Sequence, residues 1–388
     1  MKAIKTFTEG FEEEIRRCIR CGFCQAVCPV YEATFRPVLS ARGRMLLLKE
    51  VMEGTVPPSQ ELAAPFYECT TCRACTITCP ARVKVVEVVE GARRRLYEGG
   101  HTPGSLLGVR DNILRTGNIY AASQAERIEI LPPSLKEKAR RGELKSRAET
   151  LLFMGCVPSY VDMKIVPSLL KPLDAAEVDH MTLAAEEVCC GFPLYLMGAN
   201  EFEPHAAGVI GKIRATGARE LVTPCAGCYK TFKELYPKIG GLQVEVYHSV
   251  QYLEKLIREG RIRLSREISG TATYHDPCDL GRALGIFEEP RNILKSVPGL
   301  KVVEMGRNRL QARCCGGGGG LQACNPEMAR RMGAERVRDA LAAGADLIVS
   351  GCAACKDNLR KGALGIPREE RGKIRFMDIS EIVAKSMG

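Results

Sequence analysis

The cysteines of this chain are the residues whose spacing indicates chemistry, because eighteen of the nineteen fall into four ordered groups. The two N-terminal groups have four cysteines each and end in Cys-Pro: Cys18, Cys21, Cys24 and Cys28, then Cys69, Cys72, Cys75 and Cys79. The two C-terminal groups have five each: Cys156, Cys189, Cys190, Cys225 and Cys228, then Cys278, Cys314, Cys315, Cys352 and Cys355. Thiolates at such spacings bind metal, so the pattern predicts several iron–sulfur centres and a role in moving electrons.

The spacing Cys-x2-Cys-x2-Cys-x3-Cys-Pro in both N-terminal groups is typical of two-cluster bacterial ferredoxins. Three close cysteines there bind one cubane cluster, and the fourth binds the other. Structural zinc fits an isolated Cys-x2-Cys pair, but it fits this four-cysteine run badly. We therefore predict two [4Fe–4S] clusters with these ligands: Cys18, Cys21, Cys24 and Cys79 for one, and Cys69, Cys72, Cys75 and Cys28 for the other.

The two C-terminal groups require a different kind of site, because five thiolates exceed the four ligands of tetrahedral zinc. Each group contains an adjacent Cys-Cys-Gly pair and ends in Cys-x2-Cys. The Cys-x2-Cys segments are expected at helix N-termini after strands, where backbone N–H groups favour thiolates. A larger or unusual iron–sulfur cluster explains this pattern. A zinc site with a spare thiol, or a redox disulfide, stays open as an alternative.

The composition bounds the class of protein. The 388 residues predict two or three domains, and 45% hydrophobic residues are normal for a globular protein. The sequence has no apolar run near the roughly eighteen residues that span a bilayer, and Met1–Glu9 does not resemble a signal peptide. We therefore expect a cytoplasmic protein that reaches a membrane only through a partner. In that reducing compartment nineteen cysteines do not indicate a disulfide framework.

The formal charge of +10 is weak support for nucleic-acid binding. Each [4Fe–4S] cluster with four thiolates carries roughly −2, so that about four clusters would nearly neutralise the chain. The sequence has no Trp, and Arg93, Arg94 and Arg95 are expected to form a solvated helix face. An acidic electron-transfer partner or an anionic substrate remains compatible with this charge.

Two internal repeats predict the organisation of the fold. The N-terminal cysteine runs lie among helical patterns, whereas the two five-cysteine groups recur at offsets of 122, 125 and 127 residues. Short β-rich segments precede Cys156, Cys225, Cys278 and Cys352, and helical patterns follow them. Alternation of this kind predicts parallel sheets with the cysteines at the carboxyl ends of strands.

We expect a multidomain α+β and α/β protein, in which a helical bicluster ferredoxin-like domain precedes two duplicated open α/β cysteine-rich domains. The predicted units are the two-[4Fe–4S] domain at 1–100, a helical connector at 101–148, and cysteine-rich domains at 149–265 and 266–388.

The chain resembles the family of heterodisulfide reductase D subunits over roughly residues 10–385. Besides the cysteine groups, four segments carry the resemblance: Ala41-Arg-Gly-Arg, Glu68-Cys-Thr-Thr-Cys, Pro224-Cys-Ala-Gly-Cys-Tyr and His275-Asp-Pro-Cys-Asp-Leu-Gly-Arg. The resemblance implies that each five-cysteine group binds a noncubane [4Fe–4S] cluster. It also implies that the two clusters together cleave a disulfide with electrons from the two cubanes. The chain would then be an oxidoreductase subunit, active with a flavoprotein or membrane cytochrome b partner, and the ten C-terminal cysteines would be its catalytic residues.

Two other functions remain open. Similar architecture occurs in iron–sulfur relay subunits of glycolate, lactate and glycerol-3-phosphate dehydrogenase-type complexes, which feed quinone or a membrane cytochrome. Those relatives often have incomplete cysteine groups, so the two complete sets here favour disulfide chemistry. A zinc-stabilised binding module is the third possibility, and it predicts a colourless protein. The sequence has no nucleotide-binding fingerprint, so a flavin would lie on another subunit.

A few residues outside the cysteine groups are weaker candidates. His275 and Asp276 could donate protons to a product thiolate or hydrogen-bond their own loop. His248 and Asp378 occupy matching repeat positions, and their difference argues against a symmetric ligand. The glycine run 316–320 permits close backbone approach or forms a tight turn. Cys324 is expected to be a small buried hydrophobic residue.

Overall fold

The computed structural model describes residues 7–387. Residues 1–6, which contain most of the segment considered for a signal peptide, lie outside the described part. Helices make up the described N-terminal region: α1 (Glu12–Arg17), α2 (Phe23–Ala26), α3 (Pro29–Thr34), α4 (Ala41–Glu53), α5 (Gln60–Tyr67), α6 (Ala74–Thr78), α7 (Val85–Glu98), α8 (Gly104–Thr116), α9 (Glu126–Glu129) and α10 (Pro133–Arg141).

Local sequence signals account for the long N-terminal helices. The Ser40 hydroxyl accepts a hydrogen bond from the Gly43 N–H at the start of α4, and Gly54 ends that helix in the left-handed conformation. In α7 the apolar residues repeat at helical spacing and form one buried face, which includes Val85, Val89 and Leu96. Both helices follow a cysteine run, as the sequence predicts, although a short helix also lies inside each run.

The C-terminal region consists of two similar halves, each with one sheet, and the first half begins at Thr150. Its strands are β1 (Thr150–Leu152), β2 (His180–Thr182), β3 (Glu220–Thr223) and β4 (Glu245–His248), and its helices are α11 (Cys156–Tyr160), α12 (Ile165–Ala175), α13 (Phe192–Met197), α14 (Phe202–Ala215), α15 (Ala226–Lys230) and α16 (Ser249–Arg258). All strand pairs are parallel, in the order β2-β1-β3-β4.

The second half repeats this plan. Its strands are β5 (Gly270–His275), β6 (Leu300–Val303), β7 (Leu347–Ser350) and β8 (Arg375–Asp378), and its helices are α17 (Gly281–Leu284), α18 (Glu289–Lys295), α19 (Leu321–Cys324), α20 (Pro326–Ala342), α21 (Ala353–Ala363), α22 (Arg368–Arg371) and α23 (Ile379–Ser386). The parallel order β6-β5-β7-β8 matches the first sheet position for position. The predicted duplication and parallel pairing are therefore confirmed.

The packing of Arg93 contradicts the prediction of a solvated arginine face. Its side chain is fully buried. Its guanidinium donates hydrogen bonds to backbone carbonyls of the N-terminal region and of both halves: Phe66, Tyr67, Cys69, Leu196 and Gly319. Several acceptors satisfy the donors of this buried cation, so that Arg93 joins all three regions.

The helices between residues 7 and 387 are each too short or too polar to cross a bilayer.

Candidate metal centres

The structure groups the N-terminal cysteines in the crossed arrangement that the sequence predicts. Site A consists of the first three cysteines of the first run and the last cysteine of the second: Cys18, Cys21, Cys24 and Cys79. These four thiols line one small cavity together with apolar side chains such as Met45 and Val83. Burial and the neighbouring thiolates raise the pKa of Cys24 to about 11, as expected for thiols crowded without a cation.

Both cysteine runs use the same backbone turn to bring their thiols together. In the first run Arg20 and Gly22 adopt left-handed φ values of 59° and 91°, and in the second Thr71 and Arg73 adopt 50° and 64°. One of these turns directs the Thr71 N–H at the Cys69 sulfur, at 3.4 Å. The repeat in the sequence is therefore also a repeat in the conformation of the loop.

Site B contains Cys28, Cys69, Cys72 and Cys75. Burial raises the pKa of Cys75, and the charges of Cys72, Cys69 and Cys28 add to the effect, so these four thiols share one environment. Burial also raises the pKa of Cys28, although the Arg44 guanidinium opposes it.

Arg44 is a residue of site B to which the sequence analysis assigned no role. It is fully buried, donates to the Pro65 carbonyl at 2.5 Å and lies within electrostatic range of Cys28 and Cys69. Burial lowers the pKa of Arg44, but the surrounding thiolates outweigh this effect and raise it. The segment Ala41-Arg-Gly-Arg, which carries part of the family resemblance, was the available sequence signal.

Site C is formed by the five cysteines of the first half: Cys156, Cys189, Cys190, Cys225 and Cys228. Each thiol affects the pKa of the next in a continuous series, from Cys225 through Cys228, Cys190 and Cys189 to Cys156, so the five side chains are neighbours. Three separate segments deliver them: the start of α11, the loop before α13 and the start of α15. Cys225 is the N-cap of α15, in agreement with the prediction for Cys-x2-Cys.

An ion pair supports site C from the connector. Arg127 on α9 pairs with Glu187 at 2.6 Å, and both side chains are fully buried. The Arg127 guanidinium also lies 3.8 Å from the Cys156 sulfur. The pKa of Cys156 is lowered mainly by the neighbouring Cys189 thiol, and the Arg127 charge lowers it further. Neither residue belongs to a motif, and 60 residues separate them, so no sequence signal pointed to this pair.

Site D is the matching set of the second half: Cys278, Cys314, Cys315, Cys352 and Cys355. It forms the same series of neighbouring thiols that affect one another's pKa, and Cys352 is the N-cap of α21. Gly316 and Gly317 donate their N–H groups to the sulfurs of Cys314 and Cys315, at 3.4 and 3.3 Å.

The glycine run also permits close packing against site B. A Cβ on Gly319 would lie 2.5 Å from the Cys69 carbonyl oxygen and from the Thr70 Cα atom. The glycine run therefore packs against the backbone of the second cysteine run, a contact that a side chain at Gly319 would prevent.

The four sites follow one another in the order A, B, D and C. Cys24 of site A and Cys28 of site B lie within electrostatic range of each other, and Cys72 of site B and Cys314 of site D are close enough to shift each other's pKa. The Cys225 charge in site C contributes to raising the pKa of Cys352 in site D. The thiol positions are therefore continuous from the N-terminal region to both halves.

Charged side chains join the two halves beside sites C and D. Lys356, directly after Cys355, pairs with Asp162 at 2.9 Å and with Glu381, and all three are buried. In the opposite direction Lys230, two residues after Cys228, lies 3.4 Å from Asp279, the residue after Cys278. A lysine on each Cys-x2-Cys helix thus pairs with an aspartate that follows the first cysteine of the other half.

The residues outside the cysteine groups that were weaker candidates have defined surroundings in the structure. Asp276 pairs with Arg291 at 2.7 Å and is buried, which matches the structural alternative, whereas His275 lies beside Cys315 and Cys355. His248 and Asp378 are the N-caps of α16 and α23, each with a capping box. Cys324 is half-buried beside Arg93 and Ser105, and burial raises its pKa to about 11.

The donor sets fit iron–sulfur groups. Eight of the ten thiols in sites C and D are buried, and the pKa values of neighbouring thiols are driven in opposite directions, upward for Cys189 and downward for Cys190. Hydrogen bonds between the thiols cause most of this division. Converging soft sulfur donors are suited to iron, whose binding releases the thiol protons.

Comparison with known protein families gives matches over the same regions. A family described as "Cysteine-rich domain" matches residues 150–233 and 272–360, and a family described as "4Fe-4S dicluster domain" matches 14–83. The latter indicates [4Fe–4S] clusters in the N-terminal region.

Whole-chain relatives also match. The D subunit of dihydromethanophenazine:CoB–CoM heterodisulfide reductase from Methanosarcina barkeri is 33% identical over 97% of this chain and 94% of that protein. The protein of the same description from Methanosarcina acetivorans is 32% identical over the same shares. EtfAB:quinone oxidoreductase of Syntrophomonas wolfei is 28% identical over 96% of this chain and 58% of that protein.

Proposed function

Because this chain belongs to the family of heterodisulfide reductase D subunits, which are iron–sulfur oxidoreductase subunits, we propose that it reductively cleaves a small-molecule disulfide within a larger complex. The proposed cofactors are two cubane [4Fe–4S] clusters at sites A and B and two noncubane [4Fe–4S] clusters at sites C and D. The proposed domains are 1–100, the connector 101–148, 149–265 and 266–388.

The observation that carries the proposal is the completeness and adjacency of sites C and D. Each has five converging thiols, and Cys225 of one lies within electrostatic range of Cys352 of the other. When bound, the iron–sulfur groups supply one-electron transfer and iron with an affinity for sulfur. Two such sites suit a substrate with two sulfurs, because two electrons and two protons convert one disulfide into two thiols.

The surrounding residues prepare the sites for this chemistry. Arg127 beside Cys156, and Arg282 beside Cys72, place positive charge next to ligand thiols and favour their deprotonated form. Burial excludes water from most of the thiols, whereas Cys225 and Cys278 are partly exposed. We propose that the disulfide approaches at these two residues.

Sites A and B have the proposed role of receiving electrons. Cys21 of site A is exposed, and Cys72 of site B lies close enough to Cys314 of site D for the two thiols to shift each other's pKa. The proposed partner is therefore a redox subunit, either a flavoprotein or a membrane cytochrome b, that meets the chain at the site A surface.

The test is anaerobic EPR spectroscopy of the iron-loaded chain, reduced with an artificial donor and then mixed with small disulfides. We expect a disulfide-dependent change in the spectrum and the release of two thiols per disulfide. Cys225→Ser and Cys352→Ser should abolish both changes. Cys324→Ser is the matched control and should retain them. If reduced, loaded protein leaves every disulfide intact and its spectrum unchanged, the proposal fails.

An electron relay that feeds quinone or a membrane cytochrome is the second candidate. The similarity to EtfAB:quinone oxidoreductase, which covers 96% of this chain, favours it. Isolation of the native complex separates the two functions. A dehydrogenase partner, together with no thiol release from disulfides, would support the relay.

A further inference from the structure

His275 is a buried polar residue at site D that the proposed function does not use. It ends β5 and is 1% exposed. One imidazole nitrogen and the sulfurs of Cys315 and Cys355 all lie within 4.8 Å of one another. Within residues 7–387 the Nε2 atom has no hydrogen-bond partner. A buried nitrogen of this kind is costly unless it has a function at the site that it faces.

The protonation of His275 follows from its other nitrogen. The Arg336 Nε–H donates a hydrogen bond to Nδ1 at 3.2 Å, so Nδ1 is an acceptor and the proton of the neutral ring lies on Nε2. Arg336 is itself fully buried and is fixed by the Arg307 carbonyl at 2.8 Å and by Asp339 at 3.1 Å. Arg336, which these two contacts hold in place, therefore fixes the tautomer of His275.

We propose that His275 is a positioning residue that, when site D holds its iron–sulfur group, donates the otherwise unpartnered Nε2–H to the Cys315 sulfur and thereby makes site D easier to reduce than site C. This inference rests on the proposed function only in assuming that both sites hold iron–sulfur groups. A hydrogen bond to a cluster sulfur draws electron density from it, which favours the reduced state.

Direct binding of iron by His275 is the main alternative, and the geometry argues against it. Coordination through Nε2 would need a lone pair there, which would move the neutral ring's proton to Nδ1. That proton would then face the Arg336 Nε–H, which is also a donor and remains charged. Two donors would be opposed in a buried position. The thiol set is also complete without a nitrogen ligand.

The first half lacks this donor. The repeat offset of 122 residues places Phe153 at the position of His275, and Phe153 is fully buried. The polar residue beside Cys190, which matches Cys315, is Thr231. Its hydroxyl proton is donated to the Gly227 carbonyl at 2.8 Å, so it is not available to the sulfur. The N–H donor at this position is a difference between the two sites.

The tautomer is tested first, by ¹⁵N NMR of histidine-labelled, oxidised and iron-loaded protein, in which His275→Gln identifies the signal among the five histidines. We expect the Nε2–H form. A Nδ1–H form, or a directly bound nitrogen in pulsed EPR of the reduced protein, would overturn the proposal. Neither measurement uses a disulfide, so its outcome is independent of whether the chain reduces disulfides.

The second test is a redox titration followed by EPR. His275→Phe, which copies the first half, should keep its iron and lower the midpoint potential of one C-terminal signal. The other C-terminal signal should stay unchanged. His275→Gln, which can still donate an N–H, should restore part of the shift. Unchanged potentials in His275→Phe, or loss of iron from both variants, would overturn the proposal. If His275→Phe does not fold, His275→Gln and the wild-type tautomer still decide it.

Discussion

The two C-terminal halves have the same sheet order and the same five-thiol series, yet the residues around their sites differ. Site C has the Arg127–Glu187 ion pair and Phe153, whereas site D has His275 and a thiol, Cys314, that neighbours Cys72 of the N-terminal region. Duplication thus preserved the ligands and changed their surroundings. In iron–sulfur proteins those surroundings tune the potential, so we expect the two sites to be chemically distinct.

A second difference lies at the helix that follows the last strand of each half. His248 caps α16 and Asp378 caps α23, and both are fully buried. Burial lowers the pKa of His248 to about 3, whereas it raises the pKa of Asp378 to about 7. The same position in the fold therefore responds to acid and base in opposite ways.

The largest effect is expected from removing the Arg127–Glu187 ion pair, which supports site C alone. Arg127→Met leaves Glu187 as a buried charge without its partner and should lower the free energy of unfolding by about 3–5 kcal/mol. Arg127→Met combined with Glu187→Leu should recover much of this loss, because no charge then remains. Anaerobic denaturant unfolding measures both variants. A single variant as stable as the double variant would contradict the expectation.

The pH dependence of the two caps is the next effect. At His248 the unfolded chain takes up a proton below pH 6.5 and the folded chain does not, so stability falls by about 1.4 kcal/mol per unit from pH 6.5 toward 3. At Asp378 the unfolded chain loses its proton above pH 3.8 while the folded chain keeps it. The Asp378 contribution to stability therefore falls at a similar slope, about 1.4 kcal/mol per unit, as pH rises toward 7, and then levels off. Each slope is the contribution of one cap, and the two cancel in the wild-type protein between about pH 4 and 6.5.

Replacing each cap with asparagine separates these contributions. Because Asn caps a helix without titrating, His248→Asn should uncover the fall in stability as pH rises from about 4 to 7, and Asp378→Asn should uncover the fall in stability as pH drops below 6.5. Unfolding midpoints at about pH 5, 6 and 7.5 provide the measurement. If either variant keeps the wild-type pH profile, that cap does not titrate as described.

The smallest effect concerns the contact between the glycine run beside site D and the backbone of the second cysteine run. Gly319→Ala would press a Cβ to within 2.5 Å of the Cys69–Thr70 backbone, at a φ of +68° that alanine disfavours. We expect a loss of about 1–3 kcal/mol and slower oxidation of site B by site D. Gly318→Ala is the matched control, since its nearest neighbour is 3.8 Å away. Equal behaviour of the two variants, in stopped-flow absorbance and unfolding, would contradict the role of this contact.

Much of the fold could be predicted because its signals are local. The strands before Cys156, Cys225, Cys278 and Cys352 occur where the β-rich segments predict them, and Gly54 ends α4 as expected. Arg93 was predicted wrongly as solvent-exposed. Its neighbours Arg94 and Arg95 are charged in the same way, and only the packing of distant carbonyls around one of the three distinguishes it.

The order of residues along the chain was enough to establish the four cysteine groups, the duplication and the family, because ligand spacing and repeat offsets can be read without a fold. The folded chain decided which groups adjoin: Cys72 with Cys314, and Cys225 with Cys352. It also decided which side chains lie beside the thiols. Arg127 and His275 act on cysteines 29 and 40 residues away, and only folding brings such groups within the few ångströms over which hydrogen bonds act.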